Sequence, residues 1–196
     1  MTEVATGRTA AEEKLIGAAA ELLAEVGPRA ASVRAIATRA GVNHGLVHHY
    51  FGSKDSLLRA AMVRLVENHA TFAKEMSKGG PMPAPLALLR DQSYLHAVMR
   101  CVLDGEMELA TTELKAGVSV PRRALDELIA ERGLNEPDPK VQAALGIGMA
   151  MEMGWAALEP FIFAVAGVSA GDEETVRNEA IAVRNTFARK WFGGKS

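Results

Sequence analysis

Apolar residues recur at helical spacing along most of the chain, whereas the period-two alternation that is typical of β-strands is scarce. Aromatic residues make up only 5% of the sequence, and Ala, Leu, Glu and Arg, which favour helices, fill the long segments. We predict an all-α protein. Its first helix runs from about Ala11 to Val26 and ends at Gly27-Pro28.

Two short helices are predicted to follow, joined by a tight turn. Ser32 is a suitable N-cap for the first, and Gly41 suits the left-handed conformation after its end. Asn43 caps the second, which spans residues 43 to about 50, and only Val42 separates Asn43 from Gly41. A turn this short forces the helices to cross sharply, which together with the preceding helix describes a helix-turn-helix. The second short helix of such a unit enters the DNA major groove.

The rest of the chain is also predicted to be helical. Ser53 caps a long helix that runs to about Met76, and Gly and Pro then concentrate in a loop over residues 77–85. Further helices are predicted near residues 85–102, 104–116, 121–133, 139–166 and 172–192. We expect an N-terminal three-helix helix-turn-helix head (residues 1–55). A larger C-terminal helical body follows (56–196).

The charge pattern permits a local DNA-binding surface although the formal net charge is −2. Residues 1–60 carry seven Lys and Arg against six Asp and Glu, so the N-terminal part is only slightly basic. No Asp or Glu lies between Val33 and Lys54. A surface that faces phosphates needs that absence, because each carboxylate there would repel the duplex.

The stretch from Ser32 to Leu58 (SVRAIATRAGVNHGLVHHYFGSKDSLL) resembles the DNA-binding signature of the TetR family of transcriptional regulators. The matching elements are Ile36-Ala37, Ala40-Gly41-Val42, Gly45, Tyr50-Phe51 and Ser53 to Leu58. The resemblance implies which residues contact DNA. Ser32 would lie near a phosphate, and Arg34 would reach the backbone or base edges. Asn43, His44 and Gly45 would approach the bases, with Gly45 allowing close backbone approach.

The same resemblance implies that His48, His49 and Tyr50 hydrogen-bond phosphates and that Lys54 pairs with another. His48 stands where the family commonly has a tyrosine. We therefore expect this contact to depend on pH, because an unperturbed histidine titrates near ~6.5 and a phosphate favours its charged form.

A metal site is the alternative for the histidines, since His44 and His48 lie four residues apart, as metal ligands often do. Such a site needs further ligands, and neither Cys nor Asp or Glu is near in sequence. We predict DNA contact, with no metal and no cofactor. A merely solvated histidine face is the other alternative.

The stretch from Val141 to Ala166 is apolar almost all round and should be buried on several sides at once. Residues 172–192 form an amphipathic partner for it. In the TetR family the last two long helices of each subunit form a four-helix bundle, so the resemblance implies a homodimer through residues 139–166 and 172–192. Paired recognition helices read half-sites ~34–36 Å apart, so the operator should be a palindrome.

The resemblance further implies a ligand cavity in the body, for which only composition suggests residues. Flexible methionines and aromatic side chains can line an adaptable apolar cavity. The candidate ligand-binding residues are His96, Met99, Met107, Met149, Glu152, Met153 and Trp155. Ordinary core packing explains each methionine equally well, and for Glu152 we favour a helix-packing role. The expected effector is an apolar or amphipathic small molecule.

These observations predict a ligand-responsive repressor, because a dimer on a promoter blocks polymerase by occupancy and an effector can select a state that does not bind DNA. The alternative is a DNA-binding protein without a small-molecule ligand, architectural or controlled by a partner protein. An enzyme is disfavoured, because the sequence has no phosphate loop, nucleophile elbow or paired metal-binding motif.

The location and the single cysteine complete the predictions. The first ten residues lack the apolar stretch of a signal peptide, and no run of about 18 uninterrupted apolar residues occurs. We expect a cytoplasmic protein that does not enter the membrane. Cys101 is expected to be a small buried apolar residue rather than a redox sensor.

Overall fold

The computed structural model describes residues 2–77, 84–133, 135–136 and 138–192, and every regular element among them is helical. The helices are α1 (Thr2–Ala30), α2 (Val33–Ala40), α3 (Gly45–Phe51), α4 (Lys54–Met76), α5 (Gln92–Leu103), α6 (Met107–Ala110), α7 (Thr112–Lys115), α8 (Val120–Glu131), α9 (Pro139–Ala166) and α10 (Glu173–Phe192), with a 3-10 helix (Ala87–Arg90) between α4 and α5. The prediction of an all-α protein is confirmed.

The chain forms two compact units. The first unit comprises residues 1–69 and 92–118, and the second comprises residues 70–91 and 119–196. The predicted head, residues 1–55, lies within the first unit, but that unit also contains α5, α6 and α7. The assignment of DNA binding to residues 1–55 and of ligand binding and dimerisation to the remainder stays a prediction.

One core holds the first unit together, with α1 packed against both α5 and α2. The largest fully buried side chains of this unit are Leu15, Leu23, Ile36, Val47, Leu57, Met62, Val66, Leu95 and Cys101. They come from α1, α2, α3, α4 and α5. Because each fully buried side chain contacts several neighbours, this shared core fixes the helix-turn-helix against α5.

Helix α1 leaves regular helical geometry at Gly27, where φ is 80° and ψ is 172°. Pro28 then begins a separate turn, in which the Ala31 N–H donates to the Gly27 carbonyl at 3.1 Å. The predicted stop at Gly27-Pro28 is confirmed, because glycine tolerates the positive φ and proline suits the first position of the following turn. The predicted start near Ala11 is wrong, since the helix already begins at Thr2.

The predicted helix over residues 104–116 is two short helices, α6 and α7, separated at Thr111. The hydroxyls of Thr111 and Thr112 donate to carbonyls four and three residues earlier, at 2.8 and 2.7 Å. Such local side-chain bonds compete with regular helical geometry, which the apolar spacing did not reveal.

The predicted helix near 85–102 begins only at Gln92, after the 3-10 helix. Leu86 adopts a left-handed conformation with φ of 57°, and its N–H donates to the Glu152 carboxylate at 2.8 Å instead of to a helical carbonyl. The predicted loop over 77–85 falls largely on residues 78–83, which lie outside the described residues. The last three predicted helices match α8, α9 and α10 closely.

The second unit has a small core in which Leu125 and Leu128 of α8 pack on Val141 of α9. Helix α9 is buried only at Val141, Ala144, Ala156 and Glu159. In the single chain α10, α8 and the 3-10 helix are its main packing neighbours and leave one side open, so the burial on several sides that suits a subunit interface stays a prediction. Helix α9 is long and apolar enough to cross a membrane by length and composition alone, a test that core helices of soluble proteins also pass.

Candidate nucleic-acid interface and effector cavity

The turn between α2 and α3 is fixed by capping bonds at both of its ends. Ser32 Oγ accepts the N–H of Ala35 at 3.1 Å and so caps α2. Gly41 adopts a left-handed conformation with φ of 66°, and the N–H of Val42 donates to the Ala37 carbonyl at 3.0 Å. The predicted N-cap at Ser32 and left-handed conformation of Gly41 are confirmed, and α2 and α3 are joined by a short turn.

Asn43 prepares the start of α3. Its Oδ1 accepts the N–H of Gly45 at 2.8 Å, so it caps the backbone as predicted, although the regular helix begins at Gly45. A Cβ atom at Gly45 would lie 3.2 Å from this Oδ1. Glycine therefore leaves room both for the cap and for close approach of another molecule to the backbone.

The outer surface of α2 and α3 is polar and free of acidic side chains. Arg34, Asn43, His44, His48 and His49 are exposed there. Val47 is the one residue of α3 that is fully buried, and it anchors the helix in the core of the first unit. The surface available to a duplex therefore combines cationic and hydrogen-bonding groups without a repelling carboxylate.

The His48 ring has a defined orientation, since its Nδ1 lies 3.2 Å from the Gly52 carbonyl oxygen. A carbonyl can only accept, so Nδ1 carries the proton in this bond. In the neutral ring Nε2 is then an acceptor, and it can donate to a phosphate only when the ring is charged. His49 instead packs the edge of its ring against Tyr50, with the centroids 4.9 Å apart.

Lys54, at the start of α4, is half-buried and its ammonium donates to the Pro28 carbonyl at 2.9 Å. Sequence reasoning missed this bond to the turn after α1. An ammonium group has three protons, so one bond leaves donors for the predicted phosphate contact. The described residues hold no group of three or more His, Cys, Asp or Glu side chains able to bind a metal ion.

Helices α9 and α10 are joined by two ion pairs. Arg184 Nε donates to Glu152 Oε1 at 2.7 Å, and the other Glu152 oxygen accepts the Leu86 N–H. Arg177 Nη2 donates to Glu159 Oε1 at 2.8 Å, and Trp155 Nε1 donates to the same carboxylate. Hydrogen bonds from Arg177, with a smaller contribution from Trp155, lower the pKa of Glu159 against the opposing effect of burial.

The second unit contains an apolar cavity of about 450 Å³. Its walls are Leu86, Ala150, Met151, Gly154, Trp155, Leu158, Ile162, Ala180, Val183 and Arg184. A volume of this size falls in the range of small-molecule sites. Arg184 gives the otherwise apolar wall its charged group, and sequence reasoning missed it.

Of the seven predicted ligand-binding residues, Trp155 lines this cavity. Met149, Glu152 and Met153 lie on the same helix, α9, but are not among its wall residues. His96, Met99 and Met107 belong to the first unit, on α5 and α6. The other six residues are therefore not walls of this cavity, and their role in ligand binding stays a prediction. Both oxygens of Glu152 are engaged in the packing role that we favoured.

Cys101 is fully buried in the core of the first unit. Burial, followed by the nearby carboxylates of Asp104 and Glu106, raises the pKa of its thiol to about 12. A thiol that stays protonated is a poor nucleophile, so the predicted packing role fits better than redox sensing.

Comparison with known proteins identifies the helix-turn-helix. The family model "Bacterial regulatory proteins, tetR family" matches residues 15–61. HTH-type transcriptional repressor Rv3405c of Mycobacterium tuberculosis is 29% identical over 184 residues, which are 94% of this chain and 90% of that protein. HTH-type transcriptional regulator BetI of Stenotrophomonas maltophilia is 36% identical over 97 residues, 49% of this chain and 43% of that protein. A solved TetR-family regulator from Streptomyces coelicolor aligns with 93% of this chain and 98% of its own at a TM-score of 0.48 and 21% identity.

The family model covers the segment that contains the capped turn and the polar surface of α2 and α3. The relatives that match nearly the whole chain and about half of it are both named as transcriptional regulators. The chain is a DNA-binding transcriptional regulator whose helix-turn-helix segment, residues 15–61, is similar to that of the tetR family.

Proposed function

We propose that this regulator is a cytoplasmic repressor that binds a palindromic operator as a homodimer and is released by an apolar or amphipathic small molecule. The observation that carries the DNA-binding part is the exposed, acid-free surface of α2 and α3 on a turn fixed by capping bonds. The name of the Mycobacterium tuberculosis relative supports repression. A dimer on a promoter needs no further contact surface to exclude polymerase.

The DNA contacts that we propose follow the orientation of this surface. Asn43, His44 and Gly45 approach base edges at the exposed start of α3. Ser32, Arg34, His48, His49, Tyr50 and Lys54 contact the phosphate backbone, with Arg34 also able to reach bases. Phosphate contacts position the protein on the duplex, whereas contacts to base edges specify the sequence.

A second copy of the chain is the occupant that we propose for the open side of α9. Ile147, Leu158, Phe161 and Val165 lie on one helical face and are 55%, 49%, 65% and 72% exposed. Val183 of α10 adds an exposed apolar side chain to the same region, because it lines the cavity together with Leu158. Exposure of this apolar strip to water costs free energy. Contact with the same strip on a two-fold related copy removes that cost.

The apolar cavity of the second unit is the effector site that we propose, in place of a site made by all seven predicted residues. Trp155 and Met151 offer an adaptable apolar wall, and Arg184 offers a hydrogen-bond donor. Leu158 and Val183 are both exposed and part of this wall, so the second copy would help to enclose the effector. A repressor without effector remains the alternative and predicts that operator affinity responds to no apolar ligand.

The experiment that tests DNA binding is selection of bound duplexes from a random pool with the full chain, at two salt concentrations. We expect a palindromic site. Lys54→Ala should weaken binding to all sequences and reduce the salt dependence, because a phosphate contact releases counterions. His44→Ala should relax the preference at one position of each half-site.

Matched controls separate these effects from a general loss of charge. Lys74→Ala removes an exposed lysine of α4, and His96→Ala removes an exposed histidine of α5. Both control variants should select the parent site with parent affinity. If the parent enriches no site, or only binds duplexes that moderate salt releases, the proposed operator function is wrong.

A further inference from the structure

The turn at Gly27–Ala31, at the end of α1 and before α2, is held by side chains at the C-terminal end of α5 and directly after it, far along the sequence. Arg100 Nε donates to the Ala24 carbonyl at 2.9 Å. Asp104 directly follows α5, and its Oδ2 accepts the Arg29 N–H at 3.4 Å. Both backbone groups belong to the end of one helix and the start of the next turn, where the chain lacks helical partners of its own. The two side chains therefore act as caps supplied by another element.

Gly27 lies directly against these two side chains. A Cβ atom there would be 3.1 Å from Asp104 Oδ2 and 3.2 Å from Arg100 Cβ. Its φ of 80° also belongs to the region that favours glycine. On the other side of the turn, Lys54 donates to the Pro28 carbonyl. The turn is thus fixed by α5 and by α4 at the same time.

The orientation of the recognition helix depends on this turn. The buried residue Ala31 ends it, and Ser32 immediately caps α2. The Val42 N–H donates to the Ala37 carbonyl, so helix α2 is bonded to the short turn that leads into α3. A change at the α1–α2 turn is therefore transmitted to both helices of the DNA-binding surface.

We propose that Arg100 and Asp104 are positioning residues for operator recognition, which hold the Gly27–Ala31 turn and so set the orientation of α3 without contacting DNA. This inference rests on the proposed operator function. Arg100 is the more important of the two, because its bond is shorter and its donor is charged.

The test compares four full-chain proteins on the operator that the parent selects. Arg100→Met keeps an unbranched apolar stem against Gly27 but removes the donor. Arg100→Lys restores a charged donor. Arg123→Met is the matched control, since it removes an exposed arginine from α8. Operator affinity is measured over a range of salt concentrations, with a random duplex as the non-specific reference.

We expect Arg100→Met to weaken operator binding about tenfold, as the loss of one charge-assisted hydrogen bond would. Arg100→Lys should recover part of this loss, whereas Arg123→Met should bind as the parent does. The affinity for random duplex and the salt dependence should stay at the parent values. A residue that touches a phosphate would instead lower the slope of log affinity against log salt by ~0.9.

Three results would overturn the inference. Equal operator affinity of Arg100→Met and Arg123→Met would show that the turn needs no clamp, and a lowered salt slope would make Arg100 a direct phosphate contact. Where Arg100→Met does not fold, Asp104→Ala replaces it, and parent-like discrimination between operator and random duplex by Asp104→Ala has the same meaning. If the parent selects no operator, the proposed function itself is overturned. If the parent selects one, the variants test the role of Arg100 and Asp104 alone.

Discussion

At the scale of single residues, two glycines of α1 show that the effect of an added side chain on the stability of the fold depends on its position. Gly27 has a positive φ and is enclosed by Asp104 and Arg100. Gly17 lies in the regular part of the helix, and a Cβ there would meet no atom within 4 Å. The same substitution should therefore have opposite effects at the two positions.

We predict that Gly27→Ala lowers the free energy of unfolding by about 1–3 kcal/mol, because alanine strains at positive φ and has no space beside α5. Gly17→Ala should raise it by about 0.5–1 kcal/mol, because alanine loses less backbone entropy in a helix. Denaturant unfolding of both variants measures the difference. If both substitutions changed the free energy of unfolding in the same direction, the enclosed geometry of Gly27 would be contradicted.

His48 carries a pH prediction that follows from its hydrogen bond. Because Nδ1 donates to Gly52, only the charged ring offers Nε2–H to a phosphate. Operator affinity should fall as pH rises from ~5.5 to ~8, the interval in which histidines lose their charge. His48→Gln should flatten part of this dependence, with His96→Gln, an exposed histidine of α5, as the control. An unchanged profile in His48→Gln would exclude the contact.

At the scale of elements, the ion pairs between α9 and α10 have a register that the sequence contains. Glu152 and Glu159 are seven residues apart, and so are Arg177 and Arg184. The pairs connect in reverse order, 152 with 184 and 159 with 177, as two antiparallel helices require. Equal spacing of opposite charges on successive helices was therefore the signal that could have identified the two ion pairs.

The pair at Glu159 predicts an acid response of stability. The pKa of Glu159 is lowered in the folded chain, so on acidification the unfolded chain takes up this proton first. The stabilisation by this ion pair is present when the pH is above the ordinary pKa of 4.5, and it is lost as the pH falls through the lowered pKa of the folded chain. We expect the stability difference between the parent and Glu159→Gln to shrink from pH ~6 to pH ~3 in denaturant unfolding.

The control for this response is Glu127→Gln, at an exposed position of α8. Its difference from the parent should stay nearly constant over the same pH range. A constant difference for Glu159→Gln as well would mean that the ion pair with Arg177 contributes no pH-dependent stability.

The sequence predicted the elements that local chemistry determines. Ser32, Gly41 and the Gly27-Pro28 stop act through their own backbone, so their positions were predictable. The Lys54 bond to Pro28 and the clamp from Arg100 were not, because each depends on a partner that only folding brings near. The same holds for the cavity, whose wall residues come from three separate segments.

At the scale of the whole molecule, the exposed strip on α9 predicts the assembly state. Phe161→Glu places a charge in the proposed interface between copies, where burial without a partner is costly. We expect a monomer in sedimentation experiments. Operator affinity should fall about a hundredfold, because two linked heads bind far more tightly than one.

Leu103→Glu is the control for this variant, since Leu103 is 80% exposed but belongs to the first unit. This variant should sediment and bind as the parent does. A dimeric Phe161→Glu protein would place the interface elsewhere and remove the argument for a second copy on α9.

The first unit is built from two stretches of sequence that residues 70–91 separate. A chimera that transplants residues 1–55 onto the body of another regulator would therefore leave behind Arg100 and Asp104, whose side chains bond the Ala24 carbonyl and the Arg29 N–H. A graft that is meant to carry the DNA specificity of this protein must include residues 92–118 as well. We therefore expect that DNA specificity can be transferred with both stretches of the first unit, but not with one contiguous stretch of sequence.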